Sequence, residues 1–374
     1  MPAPPASDQS PIAPGAVSLK QRLVKGALPR VVTSLLIGAG FIWLLARGGL
    51  PLLPDRAALQ KIPTSAVVTF TLLTFVSTLL RTYRWIFLLR PIAPLVKPLR
   101  LIGIGMVGFG AIFFAPLRTG EIVRPFLLAQ DGEVSFMQAA GTIFAERVID
   151  GVMLTLASAL ALASATLVSP LPKSLGDLPL PLATVPVAVY SAAAAFSGLF
   201  IAMTAFYVAR ERARRATRWV VGLVSVKAAD WAAGTLERLA DGLRFLPSRI
   251  NLFSFLGVTA VAWLVSFTSQ WLLLRGSGMP ASFVQACATV GIVGVGVTVP
   301  AGPGLFGAYQ IASFSALALF FPLEQVRSQG AAMIFVAYVV CLALSAFEIL
   351  VGALLMARTR TTSPTSERDA GSRP

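Results

Sequence analysis

The sequence holds several apolar stretches close to twenty residues long, separated by short segments in which arginine and lysine collect. A helix of roughly 20 apolar residues is what crosses a hydrocarbon core about 30 Å thick. Inside such a core every backbone N–H and C=O must find its partner within the chain, so these stretches are expected to be helices. Only 13% of the 374 residues are charged and 56% are hydrophobic, with a mean hydropathy of +0.78. A soluble domain carries about 25% charged residues. The expected fold class is therefore an all-α polytopic membrane protein.

The net charge of +15 does not point to nucleic acid, because the positive residues sit in loops between apolar runs rather than on a soluble face. No histidine is present, which removes imidazole bases, the Ser-His-Asp arrangement and His-ligated metals. Cys287 and Cys341 both fall in apolar segments and read as small buried hydrophobes. No metal pattern, disulfide framework or cofactor is expected.

Residues 1–29, rich in Pro, Ala and Ser before the basic cluster Lys20, Arg22, Lys25 and Arg30, are expected to form a disordered basic tail. A transmembrane domain over 30–357 and a second disordered tail over 358–374 follow. Six full crossings are read at about 31–46, 64–80, 135–168, 183–208, 252–274 and 331–356. The stretch from 210 to 248 mixes Trp219, Trp231 and leucines with five closely spaced arginines. It reads as a cytoplasmic linker, a basic amphipathic helix on the inner leaflet or a solvated segment.

Two apolar segments are broken. The pattern Pro-x-x-x-Gly spans Pro116 to Gly120 and recurs 184 residues later from Pro300 to Gly304. Each break lies between two long crossings, which divides the chain into halves of about 64–168 and 251–357. With both breaks re-entrant, the basic clusters at 20–30, 81–100, 210–218 and 358–360 all fall on the cytoplasmic side, and so do both termini. The halves then have opposite orientation, the inverted repeat of many secondary transporters. If the breaks are full hairpins instead, the chain crosses eight times. Irregular backbone at membrane depth persists only against protein or a water-filled cavity, so a polar cavity between the halves is expected.

Charge gathers at the first break. Arg118, Glu121 and Arg124 lie in or after it, and Glu146, Arg147 and Asp150 lie early in the next helix. Glu146 and Asp150, four apart, share a helix face. Arg118 or Arg124 would supply the cation that the two acids lack, and Arg81 and Arg84 stand at the same level. A guanidinium fork suits a phosphate headgroup. The competing readings are a structural ion-pair network at the interface for the acids and topology anchors for Arg81 and Arg84.

These residues resemble a family. Pro116, Arg118, Gly120, Glu121 and Arg124 match a P-x-R-x-G-E-x-x-R signature, and Glu146, Arg147 and Asp150 match an E-R-x-x-D helix. The run from Pro300 through Pro303, Gly304 and Gly307 to Gln310 resembles a late P-G-x-x-G break, and Arg84-Trp85 fits upstream. The family is that of the lysylphosphatidylglycerol synthase transmembrane region, or flippase-like proteins, the membrane part of multiple peptide resistance factors. Many members carry an acid after the last glycine, where this chain has Tyr309 and Gln310. The aminoacyltransferase domain of the best-known members is not expected here.

The resemblance implies handling or translocation of an amphipathic lipid across a bacterial cytoplasmic membrane. The candidate ligand residues are Arg84, Arg118, Glu121, Arg124, Glu146, Arg147 and Asp150. Pro116, Gly120, Pro300, Pro303, Gly304, Gly307 and Gln310 would shape and gate the breaks. The expected partners are membrane lipids with an anionic or lipid-linked headgroup, with a separate lipid-modifying enzyme as a candidate. No enzymatic activity is expected. The alternatives are a membrane-embedded transferase on lipid-linked sugars or aminoacyl lipids, and an accessory subunit.

Overall fold

A computed structural model describes residues 19–115, 120–178, 181–223, 225–299 and 301–359, with the side chains of 19–28 and 30 excepted. The expected sites Pro116, Arg118 and Pro300 lie outside the described residues, as do most of the two expected tails. The described chain is helical and contains no named strand.

The first helix, α1 (Leu19–Arg47), starts inside the basic cluster and carries Pro29 within it. The disordered tail expected to reach residue 29 is therefore helical from Leu19. Lysine and arginine are good helix formers, and the apolar run that follows provides the length that a stable helix needs. A short α2 (Arg56–Gln60) leads to α3 (Thr64–Leu89). The first broken segment follows as α4 (Pro98–Phe114) and α5 (Val123–Ala129), and then the long α6 (Phe136–Ser164). Pro98 opens α4 at a position where its missing N–H leaves nothing unpaired. Ser135 and Gln138 cap α6 reciprocally.

After α7 (Thr184–Val208) come α8 (Arg210–Gly222) and α9 (Val226–Asp241). The second half repeats the order with α10 (Arg249–Gly276), α11 (Phe283–Gly296), a break, α12 (Ala308–Ala318), the short α13 (Leu323–Gln325), a π turn at Val326–Gly330 and α14 (Ala331–Thr359). Five of these segments are long and apolar enough to cross a membrane, and the apolar part of α1, Val31–Arg47, is a shorter one. At about 1.5 Å per residue neither α4 nor α11 reaches 30 Å, and α5 and α12 are shorter still.

The two halves are interlocked. Helices α3 and α10 run antiparallel, because Ser77 bonds Ser266 at 2.8 Å while Thr74, a turn earlier, bonds Ser269, a turn later, at 3.2 Å. Helix α4 of the first half packs antiparallel on α14 of the second, where Arg100 donates to the Met356 carbonyl and Gly110 abuts the Ser345 carbonyl. In the same way α11 of the second half packs on α6 of the first, with Ser158 donating to the Cys287 carbonyl. Small residues at these crossings let backbones approach closely.

The expected single amphipathic helix over the linker is instead a helical hairpin. Helix α9 folds back along α8 through Arg214–Glu237 and Arg218–Asp230, both 3.5 Å. Gly222 ends α8, and Ser225 caps α9 by accepting from the Ala228 N–H. The far end of α9 rests on the start of α6 through Gln138 and Asp241.

The second break is built by glycine. Gly304 has φ of 71° and Gly307 has φ of 91°, backbone that a side chain rarely tolerates. At Gly307 a Cβ would stand 2.1 Å from Cβ of Phe41 on α1. Gly307→Val is expected to cost about 2 kcal/mol or more through strain and overpacking, read as a lower unfolding temperature in detergent. Gly257→Val, where nothing lies within 4 Å, should leave that temperature nearly unchanged. Equal behaviour of the two variants would contradict this turn.

Candidate functional site

The charges that the sequence singles out meet in one place. Arg84 on α3 donates from both terminal nitrogens to Asp150, at 2.7 and 2.6 Å, and from one of them to Glu146 at 3.3 Å. Arg124 on α5 takes Glu146 in a fork of 2.9 and 3.0 Å. Thr259 of α10 accepts from Arg84 at 2.8 Å, and the Trp263 indole N–H donates to Asp150 at 3.2 Å. Two arginines and two acids cancel, and all four are buried.

Local sequence makes this arrangement possible. Glu146 and Asp150 share a face of α6 because they are four apart. Arg124 reaches them past Gly108 of α4, where a Cβ would overlap its side chain at 2.0 Å. The Arg124 guanidinium lies 4.3 Å from the Trp85 ring centre, so its faces meet aromatic surface while its edge meets carboxylate. The cation that completes the acids is thus Arg84 together with Arg124. Glu121 and Arg147 stand outside this core as a half-exposed pair 4.0 Å apart.

The candidate gating residues divide in the same manner. Gly120 is buried with its backbone against Ala111 of α4, and Pro303 opens a 3-10 turn that ends at Leu305. Gln310 accepts from the Gly307 N–H at 2.7 Å and so caps α12.

A cavity of about 290 Å³ lies beside the network, lined by α3, α4, α10, α11, α12 and α14. Along α3 it runs from Phe70 past Thr74, Ser77 and Thr78 to Arg81, about 16 Å of helical rise. Ser266, Ser269 and Gln270 face it from α10, Tyr309 and Ser313 from α12, and Cys341, Ser345 and Glu348 from α14. Arg84, Arg124, Glu146 and Asp150 do not line it.

Arg81 is the cation of this chamber. Its guanidinium lies 4.0 Å from the centre of the Trp263 ring and donates to the hydroxyls of Ser77 and Ser266, both at 3.3 Å. No carboxylate comes within 4.0 Å of it among the described residues. Trp263 joins the two systems, with its N–H on Asp150 and its ring face on Arg81. The opposite faces of α11 and α12, through Ile292, Val295 and Ile311, border an apolar crevice of about 240 Å³ closed by Phe41 and Val185.

Of Arg81 and Arg84, each open from the sequence to a phosphate-binding or an anchoring role, only Arg84 is among the candidate ligand residues, and Glu348 is not among them either. Arg81 and Glu348 were both signalled. Thr74, Ser77, Thr78 and Arg81 form a polar stripe at helical spacing in an apolar helix, as do Cys341, Ser345 and Glu348.

Residues 31–345 match the family described as the lysylphosphatidylglycerol synthase TM region. The chain belongs to that family. No curated protein and no solved structure matches it. Membership makes this a multi-pass membrane protein related to lipid metabolism or translocation. In this member of the lysylphosphatidylglycerol synthase TM family, the acid-bearing α6 and the arginine of the first break are joined by direct ion pairs.

Removing one partner of a buried ion pair strands the other charge and costs about 3–5 kcal/mol. Glu146→Ala is therefore expected to destabilise the folded protein by that order, since Glu146 is the acid that pairs with Arg124 among the described residues. Arg147→Gln, at a half-exposed pair, should cost about 1 kcal/mol or less. Thermal unfolding of the two purified variants checks this, and equal losses would refute a closed network.

Proposed function

We propose that this protein carries an amphipathic lipid with a phosphate-bearing headgroup across a bacterial cytoplasmic membrane, without covalent chemistry on it. The observation that carries the reading is Arg81. It is a guanidinium at membrane depth that faces a polar cavity, held by hydroxyls and an aromatic ring but by no acid. A charge in that position costs at least about 2.5 kcal/mol, so cations there are ordinarily paired or functional. Its remaining donors suit a phosphate oxygen. The neighbouring apolar crevice, on the other face of α11 and α12, has the lining that a hydrocarbon chain requires.

In this reading the Arg84, Arg124, Glu146 and Asp150 cluster positions rather than binds. It fixes α3, α5, α6 and α10 to one another and holds Trp263 under Arg81. The basic clusters face the cytoplasm, with both termini on that side. The first broken segment then enters from the cytoplasm and the second from outside, so that the cavity lies between elements of opposite entry. Alternating access would come from movement of the cavity-lining elements outside this fixed group, α11, α12 and α14, about it.

The test is movement of a fluorescent phosphatidylglycerol analogue between leaflets of vesicles containing the purified protein. Arg81→Gln should slow it by about tenfold or more, the loss of a charge-assisted hydrogen bond of about 1.5–3 kcal/mol. Wild-type protein that leaves a panel of anionic lipids unmoved, or an Arg81→Gln variant at full rate, would overturn the proposal. Mass spectrometry of lipids that co-purify with the wild type names the natural cargo.

A further inference from the structure

Helix α14 carries a single acid in its apolar stretch over 331–356, Glu348. Its neighbours Phe347 and Leu350 are 49% and 60% exposed toward the lipid side, whereas Glu348 is 5% exposed and turned into the polar cavity. Thr78 of α3 and Ser345, a turn away on α14, line the same cavity. No cation comes within 4.0 Å of its carboxyl among the described residues. The other buried acids near the cavity, Glu146 and Asp150, are both in contact with guanidinium.

We infer that Glu348 is a binding site for a small monovalent cation, a proton or a sodium ion, which moves together with the lipid. This rests on the transport reading above and supplies its source of energy. A carboxyl at membrane depth with no built-in counter-charge has one economical means of neutralisation, a cation from the water of the cavity. A single carboxyl with hydroxyl oxygens nearby offers one negative charge and hard donors, which fits a monovalent ion. A divalent ion ordinarily collects several oxygen ligands with more than one carboxylate.

The surrounding charges keep the site distinct. From α3 the nearest charged residue is Arg81, a turn beyond Thr78. From α4 the only charged residue is Arg100, engaged with Asp131 at the end of the helix. From α10 the facing groups are the uncharged Ser266 and Gln270, and from α12 the titratable group is Tyr309; α14 itself adds Cys341. Arg81 and Glu348 thus give one chamber an anion-accepting and a cation-accepting group. Joint occupation is favoured because each ligand screens the charge that the other brings.

The experiment uses vesicles containing the full-length protein and the same fluorescent phosphatidylglycerol probe, with a pH gradient or a sodium gradient of about tenfold imposed in separate arms. At one-to-one coupling the probe should become skewed between leaflets by up to about tenfold in one arm, which identifies the ion. Glu348→Gln should remove the skew, any movement that remains being indifferent to both gradients. Probe that moves in the wild type without responding to either gradient would overturn the inference and leave the transport reading standing. A skew that persists in Glu348→Gln would overturn it as well. If the wild type moves no probe, the transport reading fails; there, and where only Glu348→Gln moves none, binding judges the site alone. Radioactive sodium bound by wild type and lost in Glu348→Gln, or proton uptake on acidification that differs by one between them, supports the site; neither difference refutes it.

Discussion

A charge inside a bilayer must be cancelled where it stands, and the Arg84–Asp150 and Arg124–Glu146 pairs meet that constraint here. They join α3, α5 and α6, with Thr259 and Trp263 adding α10, so the broken segment of one half and the central helix of the other converge on four side chains. Such a cluster adds little net stability over a well-packed apolar core. Its effect is to make any arrangement that separates its members very unfavourable. The register of the first half is thereby tied to the second.

The same constraint sorts the ionisable groups of the membrane interior into two kinds. Those in the network have their hydrogen-bonding edges directed at one another. Arg81, whose contacts are hydroxyls and an aromatic face, and Glu348 instead border the polar cavity. Proximity in sequence hides this difference. Arg81 and Arg84 are three residues apart, yet one lies in the closed cluster and the other borders the chamber.

Much of the architecture was legible from the chain alone. The long crossings follow from apolar length, and both breaks follow from proline and glycine, where local backbone preference overrides hydrophobicity. The charges at 121–150 were visible as a group, and the pairing of Glu146 and Asp150 on one face follows from helical period. Arg84 was a candidate site residue, but its direct pairing with Asp150 was not legible, because the packing of α3 against α6 is a tertiary fact. The helical hairpin of α8 and α9 was misread for a related reason. An amphipathic pattern reports that the two faces differ, and not that α9 folds back on α8 and rests on α6 while Trp219 and Trp231 stay exposed. Glu348 was missed because one acid hardly lowers the hydropathy of a long apolar run. Its meaning comes from the cavity that it borders, whose other walls lie far away in sequence on α3 and α10.

The antiparallel seam between α3 and α10 has a consequence for motion. Ser77 donates to the Ala262 carbonyl and Ser269 to the Phe70 carbonyl, at 3.1 and 3.2 Å, a reciprocal pair with Ser77–Ser266 and Thr74–Ser269 between them. A tilt or slide of one helix on the other would break several of these bonds at once, so the seam holds α3 and α10 in one register.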